Sequence, residues 1–143
     1  MAFSEEVTLI ASTTSSSSSA TAADGTAYST AGQYRRGTFC LVTSDGTGSG
    51  SFTLDVAIQA YIFGSWTDVA RFNQATGNGT RILWDVGGTV QASSTIEETS
   101  QDLAITVGTK RAGPWGSQIR ATYTITITGT YSITWYVRGV LQS

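Results

Sequence analysis

The feature that most constrains the fold is a strict two-residue alternation near the C-terminal end of the chain. Between residues 119 and 128 apolar and polar residues take turns, and the apolar set is Ile119, Ala121, Tyr123, Ile125 and Ile127. Because successive side chains of a strand point to opposite faces, this pattern predicts a strand with one buried and one solvated face. The alternation resumes over residues 131–138 after the break Gly129-Thr130, and the two runs together predict a β-hairpin.

Similar patterns recur along most of the chain and favour a single all-β domain. A clear alternating strand is predicted over residues 52–62, and shorter strands are predicted over 7–11, 38–43, 66–72, 80–86, 90–96 and 103–107. Threonine and glycine are abundant, whereas no stretch of ten or more residues carries an apolar stripe with helical spacing. We therefore predict an antiparallel β-sandwich, jelly-roll-like, with eight to nine strands in one domain over residues 1–143.

One segment lacks the residues needed for a buried strand. Residues 12–23 are rich in Ser, Thr and Ala and include the serine run 15–19. Such a composition has little apolar surface to bury, so we predict a flexible arm or loop here. The alternative is an arm that becomes ordered on a neighbouring subunit.

The composition excludes several classes of function. The chain contains no histidine and one cysteine, so Ser-His or Cys-His catalysis and a zinc site are not expected. The net charge of −2, with scattered basic residues, argues against a nucleic-acid-binding protein. No apolar run approaches the roughly 18 residues of a membrane span, and no signal-peptide pattern is present at the start. Cys40 lies in an apolar run, which predicts a buried small side chain; an interchain disulfide or a reactive thiol is the alternative.

The carboxylates leave a glycosidase possible, and the aromatic residues leave a contact with a partner possible. A glycosidase needs only two carboxylates, and the candidates are Asp55, Asp68, Asp85, Asp102, Glu97 and Glu98. We interpret these as solvated surface groups. Trp66, Trp84 and Trp135 are interpreted as core anchors. Trp115 lies in a predicted loop, where it either contacts a partner or packs as a loop anchor.

Several segments together resemble a known family. They are residues 33–39 (QYRRGTF), 51–59 (SFTLDVAIQ), 64–77 (GSWTDVARFNQATG) and 119–126 (IRATYTIT), followed by Thr128-Gly129-Thr130. Across residues 34–137 this series of strands and turns is similar to the small β-sandwich virion proteins of tailed bacteriophages, of the capsid decoration or head-stabilising type.

The resemblance implies a non-enzymatic subunit without cofactor or metal, made in the host cytoplasm and assembled, as a homotrimer, onto the outside of a phage head. Its partners would be the major capsid protein or other virion subunits. The residues that we expect to make assembly contacts are Phe3, Arg35, Arg36, Lys110, Arg111 and Trp115. The alternative function is a carbohydrate- or receptor-binding module of a phage tail or fibre.

Overall fold

Two antiparallel sheets packed face to face form the domain. The structure, a computed structural model, describes residues 4–16, 20–29, 33–87, 105–111 and 116–143. Nine strands fall within these residues: β1 (Ser4–Ser15), β2 (Ala20–Asp24), β3 (Tyr28–Ser29), β4 (Arg36–Gly48), β5 (Ser51–Ile62), β6 (Ser65–Arg71), β7 (Gly79–Val86), β8 (Gln118–Thr128) and β9 (Tyr131–Gln142). In the same part of the chain, no helix is long and apolar enough to span a membrane.

The order of the strands confirms the predicted fold class. Sheet A has the order β1-β9-β4-β7, and sheet B has the order β2-β8-β5-β6. The short strand β3 also belongs to sheet B and pairs with residues 118–119 of β8. Every strand pairing is antiparallel. Two antiparallel sheets whose middle strands, β9-β4 and β8-β5, are not neighbours in sequence are the arrangement of a jelly roll.

The two sheets share one long two-stranded ribbon that is bent between them. In sheet A the pairing of β4 with β9 ends at Gly48 opposite Tyr131. In sheet B the pairing of β5 with β8 begins at Ser51 opposite Thr128, in the same register. The predicted C-terminal hairpin is therefore wrong, because the Gly129-Thr130 break carries the chain from sheet B into sheet A. A short break between two alternating strands has the same sequence pattern in both arrangements.

Glycine is required where the ribbon bends. Gly48 has φ +131°, which L-residues with a side chain rarely adopt, and a Cβ there would collide with the carbonyl oxygen of Thr130. A Cβ at Gly50 would collide with the carbonyl oxygen of Thr128. The amide of Gly50 donates to Thr130 O at 2.9 Å. This hydrogen bond joins the two connections between the sheets, residues 49–50 and residues 129–130.

The core lies between the inner faces of the two sheets. The alternation predicted for β5 and β8 is confirmed, since their apolar residues are buried there together with those of β9. Trp135 is fully buried at the centre, where its ring meets Tyr123 edge to face at 4.6 Å and its Nε1 donates to Ser15 Oγ at 3.2 Å. Burial of apolar side chains on both faces supplies the main driving force for folding.

The Ser/Thr-rich segment differs from the predicted loop in its described residues. Residues 12–15 extend β1 along β9, and residues 20–23 belong to β2, which pairs with β8. Both are edge strands whose backbone hydrogen bonds require no buried side chain, so composition gives no sign of them. Residues 17–19 lie outside the described part of the chain.

A second difference concerns the strand predicted over residues 103–107. Its described residues, 105–107, are not a strand, and Val107 is exposed. The residues that follow lie along the edge of β6, where Gly108 N donates to Arg71 O at 2.8 Å and Arg111 N donates to Val69 O at 2.8 Å. The strand predicted over 90–96 lies outside the described residues.

Candidate interaction surfaces

The structure describes four of the six residues predicted to make assembly contacts. Phe3 and Trp115 lie outside the described residues. Arg35 and Arg36 are exposed where the chain enters β4, and Arg36 Nη1 lies 3.5 Å from Asp85 Oδ1. The two arginines therefore present positive charge at one end of sheet A, where their contact with a partner stays a prediction.

Lys110 and Arg111 make contacts within the domain. Lys110 Nζ donates to the carbonyl oxygens of Trp84, at 2.7 Å, and Asp85, at 3.0 Å. Arg111 Nε donates to the carbonyl oxygen of Asp68 at 2.6 Å. Since this segment lies along β6 in sheet B, the lysine connects the edge of sheet B to β7 at the edge of sheet A. The structure thus gives Lys110 a role in holding the two edges together, and its part in assembly stays a prediction.

An apolar surface lies on the outer face of sheet A, where water would be expected to meet polar residues. Trp84 is 67% exposed, Ile82 43% and Val140 40%. On β4 the same face carries Thr38, which is opposite Val140, followed by half-buried Cys40 and Val42. Cross-strand pairing places these residues on one face, since Cys40 is opposite Ile82. We call the five residues other than Thr38 the A-face patch. An exposed group of large apolar residues on a regular sheet is typical of an interaction site.

A β-bulge explains why the interpretation of Trp84 as a core anchor is wrong. Phe39 lies opposite Leu83, and the next pair joins Gly37 to Val86, so β7 carries one more residue than β4 in this interval. The extra residue lets Val86 point into the core while Trp84 stays on the outer face. The sequence has one sign that alternation fails here: Ile82, Leu83 and Trp84 are three apolar residues in a row.

Two other sequence interpretations are corrected by the position of the side chains. Cys40 is half-exposed on the outer face of sheet A, because its neighbours Phe39 and Leu41 fill the inner positions of β4. Trp66 is half-buried on the outer face of sheet B. Of the three tryptophans interpreted as core anchors, Trp135 alone is in the core.

The outer face of sheet B carries a hydrogen-bonded polar network that crosses its strands. Asp24 Oδ2 lies 3.1 Å from Arg120 Nη1, and Arg120 Nε donates to Gln59 Oε1 at 2.9 Å. Gln59 Nε2 in turn donates to Asp68 Oδ1 at 2.8 Å. The guanidinium of Arg120 also lies 4.2 Å from the centre of the Trp66 ring, in a cation–π contact. Each side chain is therefore held in one orientation by its neighbours.

A groove runs beside this network, and we call it the B-face groove. Its volume is about 320 Å³, and its lining residues are Asp55, Val56, Ala57, Gln59, Asp68, Arg71, Thr122, Tyr123 and Thr124. The groove exists because Ala57 is small. Ala57 lies between Thr122 on β8 and Arg71 on β6, and the polar side chains around it are larger. Asp55 is held by Gln74, whose Nε2 donates to Asp55 Oδ2 at 2.9 Å.

The polar groups in this groove come from distant parts of the sequence. Arg120 and Gln59 are 61 positions apart, and their contact depends on the pairing of β5 with β8. The isolated arginine among the outer-face threonines of β8 was the one sequence sign that this face differs from a plain solvated face. The groove contains Asp55 and Asp68 of the candidate carboxylates, whereas Asp85 lies on β7 of the other sheet.

A third cluster joins β1 to β3 and to the chain before β4. Tyr34 donates its hydroxyl to Glu5 Oε2 at 2.6 Å. Hydrogen bonds from Tyr34 and Tyr28 hold the pKa of Glu5 below its usual value of 4.5. The same carboxylate raises the pKa of Tyr28 to about 12, from an ordinary value of 10.0, and also raises that of Tyr34. These hydrogen bonds connect the start of β1 to β3 and to the chain before β4.

Phe63 is an isolated exposed aromatic residue. It is 95% exposed at the turn between β5 and β6, with a left-handed backbone at φ +50°. A phenylalanine rarely occupies that region of φ, where asparagine and glycine are favoured. Phe63 thus provides a comparison for the A-face patch, since it is an equally large exposed side chain outside it.

The described residues offer no metal centre, since none of their carboxylate and thiol groups forms a cluster of three or more. Asp102, Glu97 and Glu98 lie outside the described residues. Two surfaces of the described structure concern us further, the A-face patch and the B-face groove. Both present side chains suited to binding.

Comparison with known proteins gives no family assignment, since no family model, no curated protein and no solved structure matches the chain. The function must therefore be argued from the two surfaces themselves.

Proposed function

We propose that the chain is a non-enzymatic structural subunit of a tailed-phage virion, of the capsid decoration or head-stabilising type. In this proposal the A-face patch is the contact with neighbouring virion subunits, either the major capsid protein or further copies of the same chain in a homotrimer. The observation that carries it is the exposure of Trp84, Ile82 and Val140 together on a rigid sheet. Aromatic residues are enriched at protein–protein contacts, and tryptophan often contributes most to their affinity.

Features of the rest of the domain support this proposal. Jelly rolls occur in viral capsid proteins, although a fold by itself does not decide a function. Only 13% of the residues are charged, so copies of the chain would repel one another little at close approach. A charged rim surrounds the patch, with Glu6 opposite Val140 on one side and the Arg36–Asp85 pair on the other. Such a rim is typical of an interface with an apolar centre.

The proposal is tested by measuring assembly of the full chain and of variants of the patch. Light scattering after size-exclusion chromatography should show an oligomer, and the purified protein should bind empty phage heads. Trp84→Ser combined with Ile82→Ser should release monomers and weaken binding to heads by on the order of a hundredfold, because a central tryptophan typically contributes 2 kcal/mol or more. Circular dichroism should show the same β-sheet content as the unchanged protein.

Phe63→Asn is the matched control, since it removes an exposed aromatic residue outside the patch. Assembly should be unchanged in this variant. A parent protein that stays monomeric and does not bind heads would contradict the proposal, as would an equal loss of assembly in Phe63→Asn. Release of reducing ends from oligosaccharides by the purified protein would contradict its non-enzymatic character.

A further inference from the structure

We infer that the B-face groove is a binding site for a neutral oligosaccharide. This inference concerns the opposite outer face from the A-face patch and does not depend on the proposed role in assembly. It also gives a location to the carbohydrate-binding alternative that the aromatic content of the sequence leaves open.

The chemistry of the lining residues favours a ligand with many hydroxyl groups. Asp55 and Asp68 supply carboxylate oxygens that accept hydrogen bonds, and Thr122 and Thr124 supply hydroxyls. Arg71 supplies further N–H donors besides Nη1, which donates to Ile105 O, and Nη2, which lies 3.7 Å from Asp55 Oδ1. Apolar ligands bind in pockets lined mostly by hydrophobic and aromatic side chains. A sugar, by contrast, presents donors and acceptors around a ring and matches this mixture.

The polar side chains are held in place before any ligand arrives. Gln59 uses both ends of its amide, accepting from Arg120 and donating to Asp68 Oδ1. Gln74 orients Asp55 in the same way. Preorganised groups lose little conformational entropy on binding, so a shallow site of this kind gains affinity from the network around it.

An exposed aromatic ring lies on the same face, along β5 from the groove. Tyr61 is two residues from Gln59 and therefore points to the same side of the sheet. It is partly exposed and meets the Trp66 ring edge to face at 5.4 Å. The negative face of an aromatic ring attracts the C–H groups of a sugar ring, so Tyr61 can hold a second sugar unit outside the groove.

The charges of the groove indicate that the saccharide is neutral. Two carboxylates face one guanidinium in the lining, that of Arg71, which lies 3.7 Å from Asp55 Oδ1, so the Asp68 carboxylate has no cation of the lining paired with it. Acidic sugars would meet an excess of negative charge and bind less well. A ligand of uronic or sialic acids is therefore disfavoured.

The experiment measures binding of maltotetraose, cellotetraose, chitotetraose and mannotetraose to the full chain, by calorimetry and by NMR shift mapping. At least one should bind saturably at millimolar concentration or below, with shifts centred on β5, β6 and β8. Ala57→Leu, which fills the groove and leaves the network intact, should abolish this binding. Asp68→Ala should weaken it about tenfold or more, as expected for loss of a hydrogen bond to a charged group.

Thr126→Ala is the control, because it lies on the same outer face of β8 beyond the groove lining. Its affinity should equal that of the unchanged protein. The inference is overturned if none of the four sugars binds, if Ala57→Leu and Asp68→Ala bind as well as Thr126→Ala, or if trigalacturonate binds more tightly than every neutral sugar. It is equally overturned if the shifts centre on Trp84.

Discussion

The outer faces of the two sheets are opposite in character although one bent ribbon supplies the middle strands of both. On sheet A the face carries exposed Ile82, Trp84 and Val140. On sheet B the outer face of the middle strands β5 and β8 carries Gln59 and Arg120, which bond to each other. Polar side chains that satisfy one another are stable in water, whereas exposed large apolar groups add nothing to the stability of a single copy. This difference is the basis for proposing that the A face contacts protein and the B face a polar ligand.

The edges of the two sheets differ as well. β6 of sheet B is covered by the segment whose Gly108 and Arg111 bond to its backbone. β7 of sheet A has a bulge and the side chain of Lys110 along its edge. Covered or bulged edges prevent unwanted strand pairing between copies on this side of the sandwich, whereas β1 and β2 are the edge strands of the other side.

The largest expected effect comes from breaking the bend that both faces share. Gly50→Val should destabilise the domain by about 3 kcal/mol, because its Cβ would collide with the backbone of Thr128, where the two connections between the sheets lie side by side. Urea denaturation followed by tryptophan fluorescence measures the change in the free energy of unfolding. Both the A-face patch and the B-face groove should lose function together.

Gly77→Ala is the control for this variant, since a Cβ at Gly77 would meet open space. Its stability should stay within about 0.5 kcal/mol of the unchanged protein. Equal stability of Gly50→Val and Gly77→Ala would show that the bend does not limit the fold.

An intermediate effect should separate the two faces. Lys110→Met removes the ammonium group that donates to the carbonyls of Trp84 and Asp85, and it should cost about 1 kcal/mol because the site is half-exposed. Amide exchange should accelerate in β7, which carries two of the five residues of the A-face patch, and stay unchanged in β2 and β8. Arg81→Met, which removes a cation from β7 itself, is the comparison. Equal acceleration in both variants, or acceleration across both sheets, would contradict the role given to Lys110.

Sequence patterns predict the strands that have one buried face and one polar face. β5 and β8 are of this kind, and their alternation is confirmed except that Ala57 is buried on the outer face while Ile62 and Tyr123 are half-buried. The edge strands β1 and β2 extend through residues 12–15 and 20–23, which have no buried side chains to mark them. The predicted hairpin failed because a two-residue break does not say whether the next strand returns to its own sheet or enters the other. Local pattern identifies a strand, and only the packing of the whole chain assigns its partner.

The candidate surfaces were less accessible from sequence than the fold. The A-face patch depends on a bulge that moves Trp84 and Val86 to opposite faces, and a bulge leaves little trace in residue type. The B-face groove depends on Ala57, whose small size matters only because Thr122 and Arg71 lie beside it. The sequence supplied Asp55 and Asp68 as carboxylates, but their common groove arises from the register between β5 and β6.

The smallest expected effect is a pH dependence that belongs to neither face. Because the pKa of Glu5 is lowered in the folded protein, its contribution is present above its usual pKa of 4.5 and is lost as pH falls through the folded value. The pKa of Tyr28 is raised to about 12, so its contribution is present below 10.0 and is lost as pH rises toward 12.

The melting temperature should therefore fall below pH 4.5 and above pH 10.0. In Glu5→Gln both falls should become shallower, while the A-face patch and the B-face groove keep their binding. If the acid fall persists unchanged in Glu5→Gln, the role given to the Glu5 carboxylate is wrong.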